Sequence, residues 1–299
     1  MKEPVSALSA TPTDASRRFL FDDADIRGES THLGKSYREI LAIHQYAPGV
    51  SRLLGEFLAA SVLLSSTLKF EGRLILQVRS EGQVPLLMAE CDHRLQIRGI
   101  ARGAEQATAL DNEQLLTNGQ LVITIDPDEG QRYQGIVMMQ GGSLANSLDA
   151  YFEQSEQLKT QIWLAADGQR AGGLLLQQLP EQVINDEALR LQQWEHACSL
   201  ATTVVDDELL SLSSNDLLHR LYHRDPVRLF APRRVRFHCS CSRERTRDAL
   251  LTLGQEELEG LLTELDPITM DCEFCNEQFH FSRDDLAEAL GDPSSKILH

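Results

Sequence analysis

The chain has 299 residues, 42% of them hydrophobic and 24% charged, and a formal net charge of −17. This balance excludes the disordered and fibrous classes, and the length allows a main domain with a sizeable core plus a smaller module. So acidic a chain is a poor general binder of nucleic acid, which needs a positive surface to displace counterions from phosphates.

Residues 1–14 carry scattered Ser, Thr, Ala and Pro without the apolar run of a secretory signal, and read as a mobile N-terminal extension. The spacing of Tyr37, Ile40, Leu41 and His44 predicts a helix over 36–45, stopped at Pro48-Gly49. A second helix is predicted over 50–68, where Leu53, Leu54, Phe57, Leu58, Val62 and Leu64 make it apolar nearly all round, as for a buried central element. Its most apolar part, 57–68, is broken by Ser61, Ser65, Ser66 and Thr67 and falls short of the ~18 residues of a bilayer span. A soluble cytoplasmic protein without a membrane partner is the expectation.

From Gly72 the period changes to two. Leu74, Leu76 and Val78 alternate with Arg73, Gln77 and Arg79, and the turn at Glu81-Gly82 predicts a hairpin continuing through 84–90. Further strands are predicted over 95–101, 119–125 and 132–140, the last two joined by the turn Asp126-Pro127-Asp128-Glu129-Gly130, whose carboxylates need no explanation beyond that turn. A helix over 144–156 and strands over 160–165 and 172–177 complete a main domain over 15–180, mixed α+β with strands and buried helices.

Residues 181–226 shift to Gln, Leu and acidic side chains and predict a helical linker. Ile184, Ala188, Leu191, Trp194 or Glu195, and Cys198 trace one apolar stripe, and Leu210, Ser214, Leu217 and Leu221 trace another. Both stripes must rest on something. Residues 227–299 form the predicted C-terminal domain, opening with Arg228, Arg233, Arg234, Arg236, Arg243, Arg245 and Arg247, and holding an amphipathic helix over 255–265.

Inside that domain, Cys239-Ser240-Cys241 and Cys272-Glu273-Phe274-Cys275 place two short-spaced thiol pairs on either side of the helix. Two such pairs can converge on one tetrahedral zinc, and four thiolates leave no open position for water or substrate. That predicts a structural or switching site rather than a hydrolytic one. Metal-bound thiolates stay reactive towards peroxide, and the arginines around Cys239 and Cys241 should favour anionic sulfur. His238 and His280 are weaker candidate ligands, while His219 and His223, four apart on a predicted helix, read as surface and capping residues. Cys91 and Cys198 read as buried thiols. No Walker loop, dinucleotide glycine motif, nucleophile elbow or H-E-x-x-H is present. On the residues alone, an enzyme or a zinc-ribbon binding protein with a purely structural zinc stays open beside a redox sensor.

The cysteine segments, with Thr67-Leu68-Lys69-Phe70, Arg98-Gly99, the 129–135 and 151–157 segments, Ala171-Gly172-Gly173 and the 218–223 segment, closely resemble the heat shock protein 33 family of redox-regulated chaperones. The resemblance spans nearly the whole chain; an N-terminal extension and the Ser80-Glu81-Gly82-Gln83 turn depart from it. It implies a holdase, not an enzyme, that protects unfolding proteins from aggregation under oxidative stress without ATP. The reduced form would hold one Zn2+ on Cys239, Cys241, Cys272 and Cys275 and be inactive. Oxidation would form the disulfides Cys239-Cys241 and Cys272-Cys275, release the zinc, loosen the C-terminal module and linker, and favour a homodimer that binds unfolded clients.

Overall fold

Two strands that hydrophobic periodicity did not signal open the fold. In the computed structural model, which describes residues 14–68, 71–156 and 158–286, Ala15–Phe21 (β1) and Ile26–Leu33 (β2) pair antiparallel, Ala15 opposite His32 and Leu20 opposite Arg27. β2 escaped notice because Glu29, Ser30, Thr31 and His32 are all buried, so neither face alternates apolar with polar. Hydrogen bonds compensate: Ser16 Oγ donates to Glu29 Oε1 at 2.6 Å, and Ser30 Oγ lies 2.9 Å from Ser214 Oγ. The extension expected over 1–14 lies, Asp14 apart, outside the described residues, as do Lys69, Phe70 and Gln157 of the resembling segments.

Lys35–Leu41 (α1) and Pro48–Thr67 (α2) follow. All of α2 except Pro48, Arg52 and Glu56 is buried. Its 20 residues are long and apolar enough to cross a membrane, which corrects the shorter span read from the sequence. Here the helix instead packs between two sheets, on β2 and its neighbours to one side and on the second sheet to the other. Burial on all sides explains why it carries no polar stripe.

The second sheet is built from Gly72–Arg79 (β3), Leu86–Asp92 (β4), Gln96–Arg102 (β5), Gln120–Pro127 (β6) and Tyr133–Met138 (β7), with the short helix Asn112–Leu115 (α3) before β6. The predicted hairpin is present, Leu74 opposite Cys91 and Val78 opposite Leu87. Leu144–Tyr151 (α4) runs into a π-helical turn at Phe152–Glu156, and Thr160–Ala166 (β8) and Ala171–Gln178 (β9) return to the first sheet. The mixed α+β class expected from the sequence is the one observed.

The predicted linker residues contain Glu187–Ala201 (α5), Asp206–Ser211 (α6) and Ser214–Tyr222 (α7). The first stripe is corrected: Ala188 and Leu191 face solvent, and the buried face is Trp194, Ala197, Cys198 and Ala201. The polar first half of α5 misled the phase. With Leu209, Leu210, Leu217, Leu218, Leu221 and Tyr222, this face forms a second core against Phe19, Phe21, Ile26, Leu174 and Leu176. Phe21 and Tyr222 meet edge to face at 4.9 Å, and the Tyr222 hydroxyl donates to the Ala197 carbonyl at 3.0 Å. Gly172 lets α6 sit on β9, since a Cβ there would stand 2.5 Å from the Leu209 carbonyl oxygen.

Val227–Leu229 (β10), Arg233–Arg234 (β11) and Arg236–Phe237 (β12) belong to these sheets rather than to the cysteine module. β10 and β11 both pair with β1, while β12 lies parallel to β5, Arg236 opposite Gln96 and Phe237 opposite Ile97. Val235 between them is 1% exposed and joins the core around α2. The chain accordingly divides after His238, not before Val227 as the charge switch suggested. Alternating arginines on short edge strands look in sequence like a basic module.

The second unit, from Cys239, contains Arg243–Leu251 (α8), Gln255–Glu264 (α9) and the hairpin Ile268–Asp271 (β13) and Gln278–Phe281 (β14), ending in a 3-10 turn at Asp284–Leu286. Among its described residues the buried apolar set is Leu250, Leu258, Leu262, Ile268, Phe281 and Leu286.

Candidate metal centre

Each thiol pair is aimed by a local turn. The Cys272 N–H donates to the Glu277 carbonyl at 2.8 Å, and the N–H groups of Cys275 and Asn276 donate back to the Cys272 carbonyl at 3.1 and 2.7 Å. Asn276, at φ 58°, closes that knuckle, since Asn tolerates the left-handed region better than most side chains. Cys239 and Cys241 precede α8, whose first turn is capped by Ser242 Oγ accepting from the Arg245 N–H at 3.2 Å. The Arg245 guanidinium donates to the Ser240 carbonyl at 2.8 Å and so braces the C-x-C turn.

The result is four sulfurs within 4.8 Å of one another. The shortest separations run across the two pairs, Cys239 to Cys272 at 3.6 Å and Cys241 to Cys275 at 3.4 Å. Zinc–sulfur bonds of about 2.3 Å in a tetrahedron put sulfurs about 3.8 Å apart, so the residues fit a thiolate-bound ion. Among the described residues, these four cysteines are the one group that could hold a metal. His280 points its Nδ1 at Thr269 Oγ1, 2.9 Å away, and His238, whose N–H donates to the Ile97 carbonyl at 3.1 Å, ends the first unit.

The expected help from arginine to anionic sulfur is corrected. Burial and the neighbouring thiols push Cys241 up well beyond the ordinary thiol range, and burial leads the rise of Cys275 to about 11. Arg243 is engaged elsewhere, its guanidinium 2.8 Å from Asp285 and 4.6 Å from the Phe281 ring centroid. Thiolates this crowded repel one another, so ionising them together requires a cation among them.

Outside this group, Cys91 and Cys198 are buried, and burial raises both to about 12, which fits inert core thiols. His219 and His223 stack on the exposed side of α7, ring centroids 5.9 Å apart. Asp126 bridges Arg73 and Arg132 at 2.9 Å each, a structural role at the strand turn.

A contact network in the first unit went unrecognised in the sequence. Asp25 Oδ1 accepts from the N–H groups of Gln182 and Val183 at 3.2 and 2.9 Å, and Oδ2 accepts from Ile184 N–H at 3.3 Å. One carboxylate thereby gathers the start of the linker. No local pattern distinguishes Asp25 from its neighbours Asp22 and Asp23.

The model of the family described as Hsp33 protein matches residues 14–282. The 33 kDa chaperonin of Pseudomonas paraeruginosa is 50% identical over 287 residues, covering 95% of this chain and 97% of that protein. That of Azotobacter vinelandii is 52% identical over 285 residues, covering 94% and 96%. The crystal structure of the 33 kDa chaperonin, a heat shock protein 33 homolog, from Thermotoga maritima superimposes with a TM-score of 0.77 at 20% identity, covering 93% of this chain and 98% of that one, a likeness of fold.

Proposed function

Since the chain belongs to the Hsp33 family, we propose that it is a redox-regulated, ATP-independent chaperone whose four-cysteine unit holds zinc when reduced and lets it go when oxidised. The four sulfurs within 4.8 Å, in a unit whose described residues bury six apolar side chains, are the observation that carries this reading. A core that small does not hold a domain alone, so metal binding and folding of the unit are one equilibrium.

Bound zinc would supply the positive charge that keeps Cys239, Cys241, Cys272 and Cys275 ionised. Two equivalents of a two-electron oxidant such as hydrogen peroxide would take one electron pair from each of the two thiolate pairs, forming two S–S bonds, while each peroxide takes up two protons from solvent and becomes two waters. Disulfide sulfur no longer serves as an anionic ligand, and the unit loses the ion that folded it. The pairs proposed are Cys239-Cys241 and Cys272-Cys275. The sulfurs nearest in the folded unit are the cross pairs, but oxidation of a first sulfur to the sulfenic acid would weaken its hold on the ion and loosen the unit before the S–S bond closes, and loop-closure entropy then favours neighbours in sequence.

The linker supplies the response. Its helices α5 to α7 bury Trp194, Leu209, Leu217 and Tyr222 on Phe19, Phe21, Ile26, Leu174 and Leu176. Release of the linker bares both surfaces, and apolar patches of that kind take up unfolded clients or a second copy. Zinc analysis, thiol counting and suppression of a client's aggregation, before and after peroxide, test the proposal. Zinc that stays bound through oxidation, or aggregation suppressed equally by the reduced protein, would overturn it.

A further inference from the structure

A cavity of about 580 Å³ opens in the first unit between the end of β2, the start of α1 and the β11 segment. Lys35, Arg38, Arg170 and Arg234 line it, against the single lining carboxylate of Asp14. Lys35 is compensated by Glu39 at 3.5 Å and Arg170 by Asp167, which leaves Arg38 and Arg234 as the lining cations without a carboxylate partner among the described residues, in a chain of net charge −17. The Asp14 carboxylate is already engaged, accepting from the backbone N–H groups of Gly34 and Ser36, the latter at 2.9 Å. Two of the cations are held in position: Arg38 donates to the Gln169 carbonyl at 3.2 Å, and Arg170 pairs with Asp167 at 2.8 Å. Among the described residues the Arg234 guanidinium meets no partner.

His32, 6% exposed, also borders the cavity. Apolar side chains, Leu33 and Leu210 among them, complete the lining. Its volume lies in the range of small-molecule sites, which combine apolar walls with a few fixed polar groups.

We propose that this cavity binds a small phosphorylated organic molecule, its phosphate held by Arg38, Arg170 and Arg234 and its less polar part against Leu33 and Leu210. Guanidinium groups suit phosphate because they offer parallel N–H donors. Leu210 belongs to α6, so a ligand seated here touches the linker and favours its docked state by mass action.

The test uses the reduced full chain, so that it stands apart from whether oxidation activates anything. Titration calorimetry with phenyl phosphate is expected to give saturable binding at one site per chain, several-fold tighter than inorganic phosphate. The double variant Arg38→Ala with Arg234→Ala, both side chains at the surface, is expected to weaken it at least tenfold. On the unmodified protein, amide shifts on adding phenyl phosphate should cluster at residues 32–38, 170–171 and 232–234. Unsaturable uptake at millimolar ligand, equal binding by the double variant, or shifts scattered over other basic residues would each overturn the proposal.

Discussion

Asp25 and Arg190 meet with Oδ2 and Nε 3.3 Å apart, the carboxylate 2% and the guanidinium side chain 19% exposed. The same carboxylate accepts three backbone N–H groups of residues 182–184, and Arg190 Nη2 donates to the Leu179 carbonyl at 2.7 Å. The first turn of α5 is thus tied to the β1–β2 turn by charge and backbone together. Asp25→Ala leaves a buried cation and orphaned N–H groups, a loss of about 3 kcal/mol. Hydrogen exchange should quicken over 181–190, and clients should bind at lower oxidant. Unchanged exchange there would show that the apolar contacts hold the linker unaided.

The apolar contacts can be tested separately. Trp194→Ala empties the centre of the linker core and is expected to cost about 3 kcal/mol of docking. The expected readout is partial client binding by the reduced, zinc-loaded protein. Gly172→Ala places a methyl group against the Leu209 carbonyl and should act more locally, quickening exchange over 206–211 by about tenfold while β8 and β9 stay protected.

For the metal centre, Cys272→Ser or Cys241→Ser should lower bound zinc from one per chain to near none. The second unit, whose described core is small, should lose its amide chemical-shift dispersion while the first unit keeps its melting temperature. Mass spectrometry of the oxidised protein should find Cys239-Cys241 and Cys272-Cys275. Recovery of Cys239-Cys272 and Cys241-Cys275 instead would mean that the bonds close before the unit opens.

Two buried carboxyls of the first unit set a pH dependence. Burial pushes Asp149 up to about 7, with its Oδ1 lacking a hydrogen-bond partner, and pushes Glu56 up to about 7 despite Asn112 Nδ2 donating to it at 3.2 Å. A raised carboxyl favours the protonated folded form, so its contribution is complete below the unfolded value and declines as pH rises towards about 7. Asp149→Asn should therefore match the parent near pH ~4 and exceed it by about 2 kcal/mol at pH ~8, half the full linkage value because solvent screens the group. Denaturant melts at the two pH values measure the difference, and a gain of equal size at both would remove the titration argument.

Sequence legibility followed burial symmetry. α2 and the β3–β4 hairpin were readable because their buried positions are apolar, continuously in one and alternately in the other. The four cysteines were readable because ligand spacing is local. β2 was not, since its buried face is Glu29 to His32 and its partners come from distant segments. α8 was hidden by the arginines and acids of Arg243 to Asp248, and only Leu250 on it is buried. The hold of Asp25 on residues 182–184 spans more than 150 positions, which no periodicity reports.

The stretch from Val227 to His238 is basted onto both sheets by pairings of two or three residues each, with Val235 as the one deep stitch. Such short seams open far more cheaply than the eight-residue ladder between β2 and β9. Fraying that begins at Cys239 is therefore expected to run first through β12, then past Val235 to β11 and β10, and to end at the foot of α7, while the cloth of the two sheets stays whole.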